Sequence, residues 1–103
     1  MRLIVYDVEV FCEDWLVILK DIETGKYTCV HNDNEELKEC ISEDCIYIGF
    51  NSKHYDQFII KAICCGFTPQ EVKQVNDFII GGGQGWECPM LRDFFFRFNN
   101  VDI

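Results

Sequence analysis

An α/β fold is predicted by three features of the sequence. A continuous apolar run, Leu3-Ile4-Val5-Tyr6, gives way at once to acids at Asp7 and Glu9, the pattern of a strand buried on both faces that emerges at the rim of a sheet. Two further β-rich runs, 15–19 and 26–30, flank Asp21-Ile22-Glu23-Thr24-Gly25, whose Asp and Gly supply turn chemistry. Two capping patterns downstream open helices. At 103 residues the chain has room for one core and not two.

Element by element, the strand over 3–6 takes a central place, and the 15–19 and 26–30 runs follow it as a hairpin, so the first three strands form an antiparallel meander. Asp33-Asn34-Glu35-Glu36 sets an Asp cap with Glu three residues on, and Leu37, Cys40 and Ile41 follow at helical spacing. This is a short amphipathic helix whose first-turn acids complement the helix dipole on a solvated face. Ser42 to Asp44 ends it. Cys45–Phe50 is apolar and β-branched, a fourth strand that delivers the chain to Asn51 and Tyr55-Asp56. From Tyr55, apolar residues recur at Phe58, Ile59, Ala62 and Ile63 until Gly66, a helix of about three turns with Asp56 in its first turn. Thr68-Pro69-Gln70-Glu71 is a second capping box with Pro at the first helical position, and Val72, Val75 and Ile79 continue the period.

Residues 1–80 thus read as the core of a single domain over 1–103, residues 81–85 as a flexible glycine-rich connector, and 86–103 as a C-terminal segment. The glycines follow a helix and lack the Gly-Lys-Ser/Thr of a phosphate-binding loop. The last segment carries Phe94, Phe95, Phe96 and Phe98 near Arg92 and Arg97, then stops without a turn or cap signal.

Composition narrows the function classes. Hydrophobic residues at 49% and aromatics at 15% exclude a disordered chain. No run approaches the ~18 apolar residues of a membrane span, and acids so close behind Met1 do not suit a signal peptide. A cytoplasmic protein without membrane contact is expected. Eighteen acids against nine bases give a net charge of −9, which excludes a plain basic-patch binder of nucleic acid. The charge is lopsided, with twelve acids and four bases in residues 1–44. Seven cysteines, an odd number with no C-x-x-C pair, spell out neither a zinc cluster nor a thioredoxin-type motif. Most are expected to be reduced core thiols, with the vicinal Cys64-Cys65 pair packing as small hydrophobes.

Asp7 and Glu9 share a strand face just beyond a buried segment. Two anions there must be solvated, lose a charge by a raised pKa, or bind a cation, and oxygen ligands suit hard divalent ions. A third carboxylate, Asp56, starts the helix after the fourth strand. If that strand pairs beside the first, Asp56 approaches Asp7 and Glu9. Three carboxylates around one point hold two divalent cations that clamp the attacking and leaving oxygens of a phosphoryl displacement.

Tyr6-Asp7-Val8-Glu9 and Asn51-Ser52-Lys53-His54-Tyr55-Asp56 resemble, in this order and in these strand contexts, the D-x-E and N-x-x-x-[F/Y]-D motifs of 3′-to-5′ proofreading exonuclease domains of DNA polymerases. These form the DEDD (DnaQ-like) group, with a ribonuclease H-like fold. The resemblance covers nearly all of the chain, which looks like the amino-terminal segment of a bacteriophage-type DNA polymerase. It implies two-metal-ion hydrolysis with two Mg²⁺ or Mn²⁺ per complete site, acting on a single-stranded DNA 3′ end during DNA replication in the bacterial cytoplasm, with a polymerase domain as the partner in the intact protein. Asp7 would bridge both metals, Glu9 would hold the one that activates water, and Asp56 the one that stabilises the leaving 3′ oxygen. Asn51 would position the terminal nucleotide, and Tyr55 would pack behind the site. Asn51 also reads as a strand-to-helix cap and Tyr55 as a core aromatic. His54 reads as a surface residue near the site.

The third motif of that family, a Tyr or His followed at helical spacing by Asp, has no match. Asp77, Asp93 and Asp102 are preceded four residues earlier by Lys73, Pro89 and Phe98. The expectation is a truncated exonuclease portion, weakly active or inactive alone. Lys53, Lys61, Arg92 and Arg97 are either backbone contacts or solvated charges. The alternative reading is a non-catalytic, acidic, nuclease-like interaction module with Phe94–Phe98 as its partner surface, and exposed apolar surface makes a homodimer a further expectation.

Overall fold

The computed structural model describes residues 1–103 apart from Asn51. Five strands form one mixed sheet: β1 (Arg2–Val10), β2 (Trp15–Asp21), β3 (Tyr27–His31), β4 (Cys45–Gly49) and β5 (Asn99–Asp102), in the order β3-β2-β1-β4-β5. β2 runs antiparallel to β1 and β3, whereas β4 is parallel to β1 and β5 parallel to β4. The expected meander, crossover and central β1 are therefore present. Among the described residues, three α-helices accompany the sheet: α1 (Asn34–Cys40), α2 (Asp56–Cys64) and α3 (Pro69–Ile80).

Strand register decides where the core lies. Tyr6 stands opposite Leu19, Val8 opposite Val17 and Val10 opposite Trp15, while Ile4 stands opposite Tyr47 of β4. Alternation puts all of these on one face, where they form a single core with Leu37 of α1, Ile59, Ile60 and Ile63 of α2, and Val72 and Val75 of α3. Each such side chain contributes about 1.5–3 kcal/mol when fully buried. Tyr6, Tyr47 and Phe98 meet edge to face, with ring centroids 5.6–6.5 Å apart. α1 is pinned at both ends. The Asn34 side chain donates to the carbonyls of Ile63 and Phe67 at 2.9 and 2.7 Å, and the Tyr47 hydroxyl accepts from Ser42 N–H while donating to Cys40 O. The caps form as the sequence requires: Asp33 accepts from Glu36 N–H, and Thr68 and Glu71 make a reciprocal capping box.

Four expectations are corrected. First, β1 is covered on one face only. Leu3, Val5, Ile18, Ile46, Ile48 and Val101 share the other face, and none of them is buried, because the helices stack against one another on the Tyr6 side. Second, residues 99–102 are a fifth strand; Asn and Asp disfavour strands, and only pairing with β4 makes this segment one. Third, the glycines do more than connect. A Cβ at Gly85 would lie 2.1 Å from the Phe58 ring and one at Gly83 2.4 Å from Phe78, so two aromatic rings occupy the space that side chains would need. Fourth, Phe96 and Phe98 pack against the core, leaving Phe94 and Phe95 as the exposed members of that run. All seven cysteines are free thiols, but only Cys64 and Cys88 are buried. No helix among the described residues is long and apolar enough to cross a membrane.

Candidate active site

Because β1 and β4 are parallel, their C-terminal ends open at the same end of the sheet, and the turn after β4 enters α2 there. Asp7 and Glu9 lie at that end of β1, opposite Ile18 and Leu16 of β2. Both carboxylates are exposed, while Tyr6 and Val8 turn into the core. Asp56, the first residue of α2, is only 5% exposed. Its carboxyl is pushed up to about 7, by burial first and then by the charges of Asp7 and Asp102. Among the described residues no Lys, Arg or His forms an ion pair with it.

The acid that sequence reasoning did not select is Asp102. It stands opposite Gly49 in the β4–β5 ladder, and its Oδ1 accepts the Ser52 N–H at 3.0 Å. A search for helical Tyr-x-x-x-Asp or His-x-x-x-Asp spacing passes over it because it sits in a strand. No local signal marks it; only the pairing of β5 brings it to this end of the sheet.

Glu9 is not among the groups that act on Asp56. It stands two residues, about 6.6 Å, beyond Asp7 along β1. Tyr55 joins the acids to α3: its hydroxyl donates to the Asn76 side chain, and its phenol is pushed up to about 12 by burial, then by the charges of Asp56, Asp7 and Asp77. The Tyr6 phenol is raised well above its ordinary range, by burial first, with the Ser52 hydroxyl opposing and Asp56 and Asp102 adding to it. Lys53 and His54 are exposed in the turn, and a groove beside it is lined by His54, Tyr55, Ile79, Ile80 and Gly82–Gln84. Asn51, expected to position a nucleotide, lies outside the described residues.

Among the described residues, no group of three or more His, Cys, Asp or Glu side chains is gathered as a metal ion would require. The donor chemistry nevertheless suits a hard divalent cation. Mg²⁺ commonly takes one or two carboxylates and completes its shell with water and substrate phosphate. A buried carboxylate that feels two like charges and no cation is also the environment that a bound cation relieves. Asp7 and Asp56 are the pair that would hold it. Comparison with protein-family models, with curated proteins and with solved structures finds no match.

Proposed function

We propose that the acidic end of the sheet is the metal-binding half of a 3′-to-5′ exonuclease site, and that the chain is the amino-terminal part of a DNA polymerase proofreading domain. The observation that carries this reading is the buried Asp56, which has no cationic partner among the described residues and is within charge reach of Asp7. The sheet order, with β2 alone reversed, supports the ribonuclease H-like assignment.

Asp7 and Asp56 would hold one Mg²⁺ or Mn²⁺, and Glu9, on the face of Asp7, would be a ligand for a second. Bound cations supply an activated water and charge stabilisation at the leaving 3′ oxygen. The protein's own part is to fix the carboxylates on rigid elements, β1 and the first turn of α2, so that a divalent cation entering the site would meet oxygen ligands already in place. Tyr55, braced by Asn76, keeps the turn packed beside α3. Asn51 orients the terminal nucleotide of a single-stranded DNA 3′ end.

The test is calorimetric titration of the chain with Mn²⁺, repeated with Asp7→Ala and Asp56→Ala, together with digestion of end-labelled single-stranded DNA. Mn²⁺ binding that both substitutions weaken supports the reading. Binding that neither substitution changes, or none by the native chain, overturns it. A second reading, an acidic interaction module without catalysis, is favoured by the exposure of Trp86, Phe94 and Phe95 (64%, 44% and 77%). It is the reading left if the chain folds stably, binds no cation and leaves DNA intact.

A further inference from the structure

Asp102 reaches the acidic site through the backbone. Its Oδ1 accepts the Ser52 N–H at 3.0 Å across fifty residues of sequence, and the Ser52 carbonyl accepts the Gln57 N–H at 3.0 Å. Two hydrogen bonds thus connect the end of β5 to the first turn of α2, one residue past Asp56. Asp102 is itself held in place, since the Ile103 N–H donates to Gly49 O at 3.0 Å and prolongs the parallel ladder. Ser52 is fully buried and pressed against Gly49, where a Cβ would come within 2.6 Å of its own Cβ. A carboxylate accepting a backbone N–H makes a charge-assisted bond, stronger than a neutral one. The turn between β4 and α2 therefore depends on a strand that is far away in sequence.

We propose that Asp102 is a positioning residue of the acidic site: by holding the Ser52 N–H it fixes the turn that presents Asp56 to a divalent cation. This rests on the metal reading above and extends it to a residue that lies in neither the D-x-E nor the N-x-x-x-[F/Y]-D segment. Partners that orient metal ligands characteristically change metal affinity about 10–100-fold when removed.

The experiment compares the native chain with Asp102→Ala and Asp102→Asn. Mn²⁺ affinity is measured by electron paramagnetic resonance, and Ser52 amide protection by hydrogen exchange, at a temperature where circular dichroism shows each variant folded. Asp102→Asn keeps an oxygen acceptor for Ser52 and loses the charge, whereas Asp102→Ala loses both. The expected result is Mn²⁺ affinity about 10-fold weaker or more in Asp102→Ala, with Ser52 protection lost, and both largely restored in Asp102→Asn. Equal affinity in all three chains overturns the proposal and leaves the metal reading intact. Equal loss in both variants also overturns it, because Asp102 would then act through its charge as a ligand. If Asp102→Ala fails to fold, Asp102→Asn decides alone, with near-native affinity and protection expected and loss of either overturning the role. If the native chain binds no Mn²⁺, the metal reading fails and this role fails with it.

Discussion

A methyl group at Gly49 would lie 2.6 Å from the Cβ of Ser52 and 3.0 Å from Cε1 of Tyr6. The end of β4 can carry only hydrogen at this position, because the turn beyond it folds back over the strand. Gly49→Ala is therefore expected to destabilise the chain by about 1–3 kcal/mol, the usual cost of overpacking. The midpoint of urea unfolding measures the loss. Because Ser52 is the residue displaced, the Gln57 and Ser52 amides should also lose protection from hydrogen exchange in the variant; unchanged protection would mean that the turn does not rest on β4.

Asp56 gives stability a specific dependence on pH. Its carboxyl titrates at about 7 in the folded chain, raised by burial and by Asp7 and Asp102, against about 3.9 for an unfolded Asp. The folded state thus binds the proton more tightly. The stabilisation is complete below about pH 4 and declines as the pH rises, with the loss complete once the pH has passed through 7. At about 1.4 kcal/mol per pK unit, the decline between pH 5 and pH 8 is on the order of 3 kcal/mol. Asp77 is held low by the Lys73 ammonium, with the Asn76 amide also contributing. In Asp21 the upward push of burial is outweighed by the Thr24 and Glu23 N–H groups and Arg2. The stability from these two is lost only as pH falls through the low acid range, outside this window. Urea unfolding at pH 5 and pH 8 is the measurement, and Asp56→Asn should remove most of the difference.

The cap of α3 gives a more local expectation. Thr68 accepts from Glu71 N–H at 3.2 Å, and the Glu71 side chain accepts from Thr68 N–H at 2.9 Å. Thr68→Ala removes the acceptor of the Glu71 N–H while keeping the backbone N–H that donates to the Glu71 side chain, and should cost about 1 kcal/mol, seen as a lower thermal midpoint. Thr68→Ser keeps the acceptor and should restore most of the loss. Equal effects of the two substitutions would mean that the methyl group, and not the hydroxyl, matters here.

What could be read from the chain alone was whatever depends on neighbours in sequence. The cap at Asp33, the capping box at Thr68, the hairpin around Gly25 and the apolar spacing of α2 and α3 are local, and each element forms where that spacing puts it. The place of Asp56 in the first turn of α2 was legible for the same reason. β5 and Asp102 were not, because Asn99-Asn100-Val101-Asp102 has no strand propensity of its own and is defined by hydrogen bonds to β4, some fifty residues away. The apolar run over 3–6 also reads alike for a strand covered on one face or on two. Periodicity reports that residues are apolar; only the packing of the helices decides which face is covered.

That distinction is testable on two adjacent residues of β2. Val17 is fully buried against the helices, whereas Ile18, opposite Asp7, points to the other face and is only partly covered. A carboxylate placed at 17 enters the core without a partner, so Val17→Asp is expected to cost more than about 3 kcal/mol and to leave the chain largely unfolded. Ile18→Asp puts its charge where water reaches it and should cost about 1 kcal/mol or less, with its far-ultraviolet circular dichroism unchanged. The same substitution adds a third anion beside Asp7 and Glu9, so its cost should shrink further when salt screens the repulsion. Sedimentation of the native chain completes the argument. If the open face joins two copies, Ile18→Asp should convert a concentration-dependent dimer into a monomer. If Ile18→Asp unfolds the chain as Val17→Asp does, then that face is covered in solution and the one-sided packing described here is wrong.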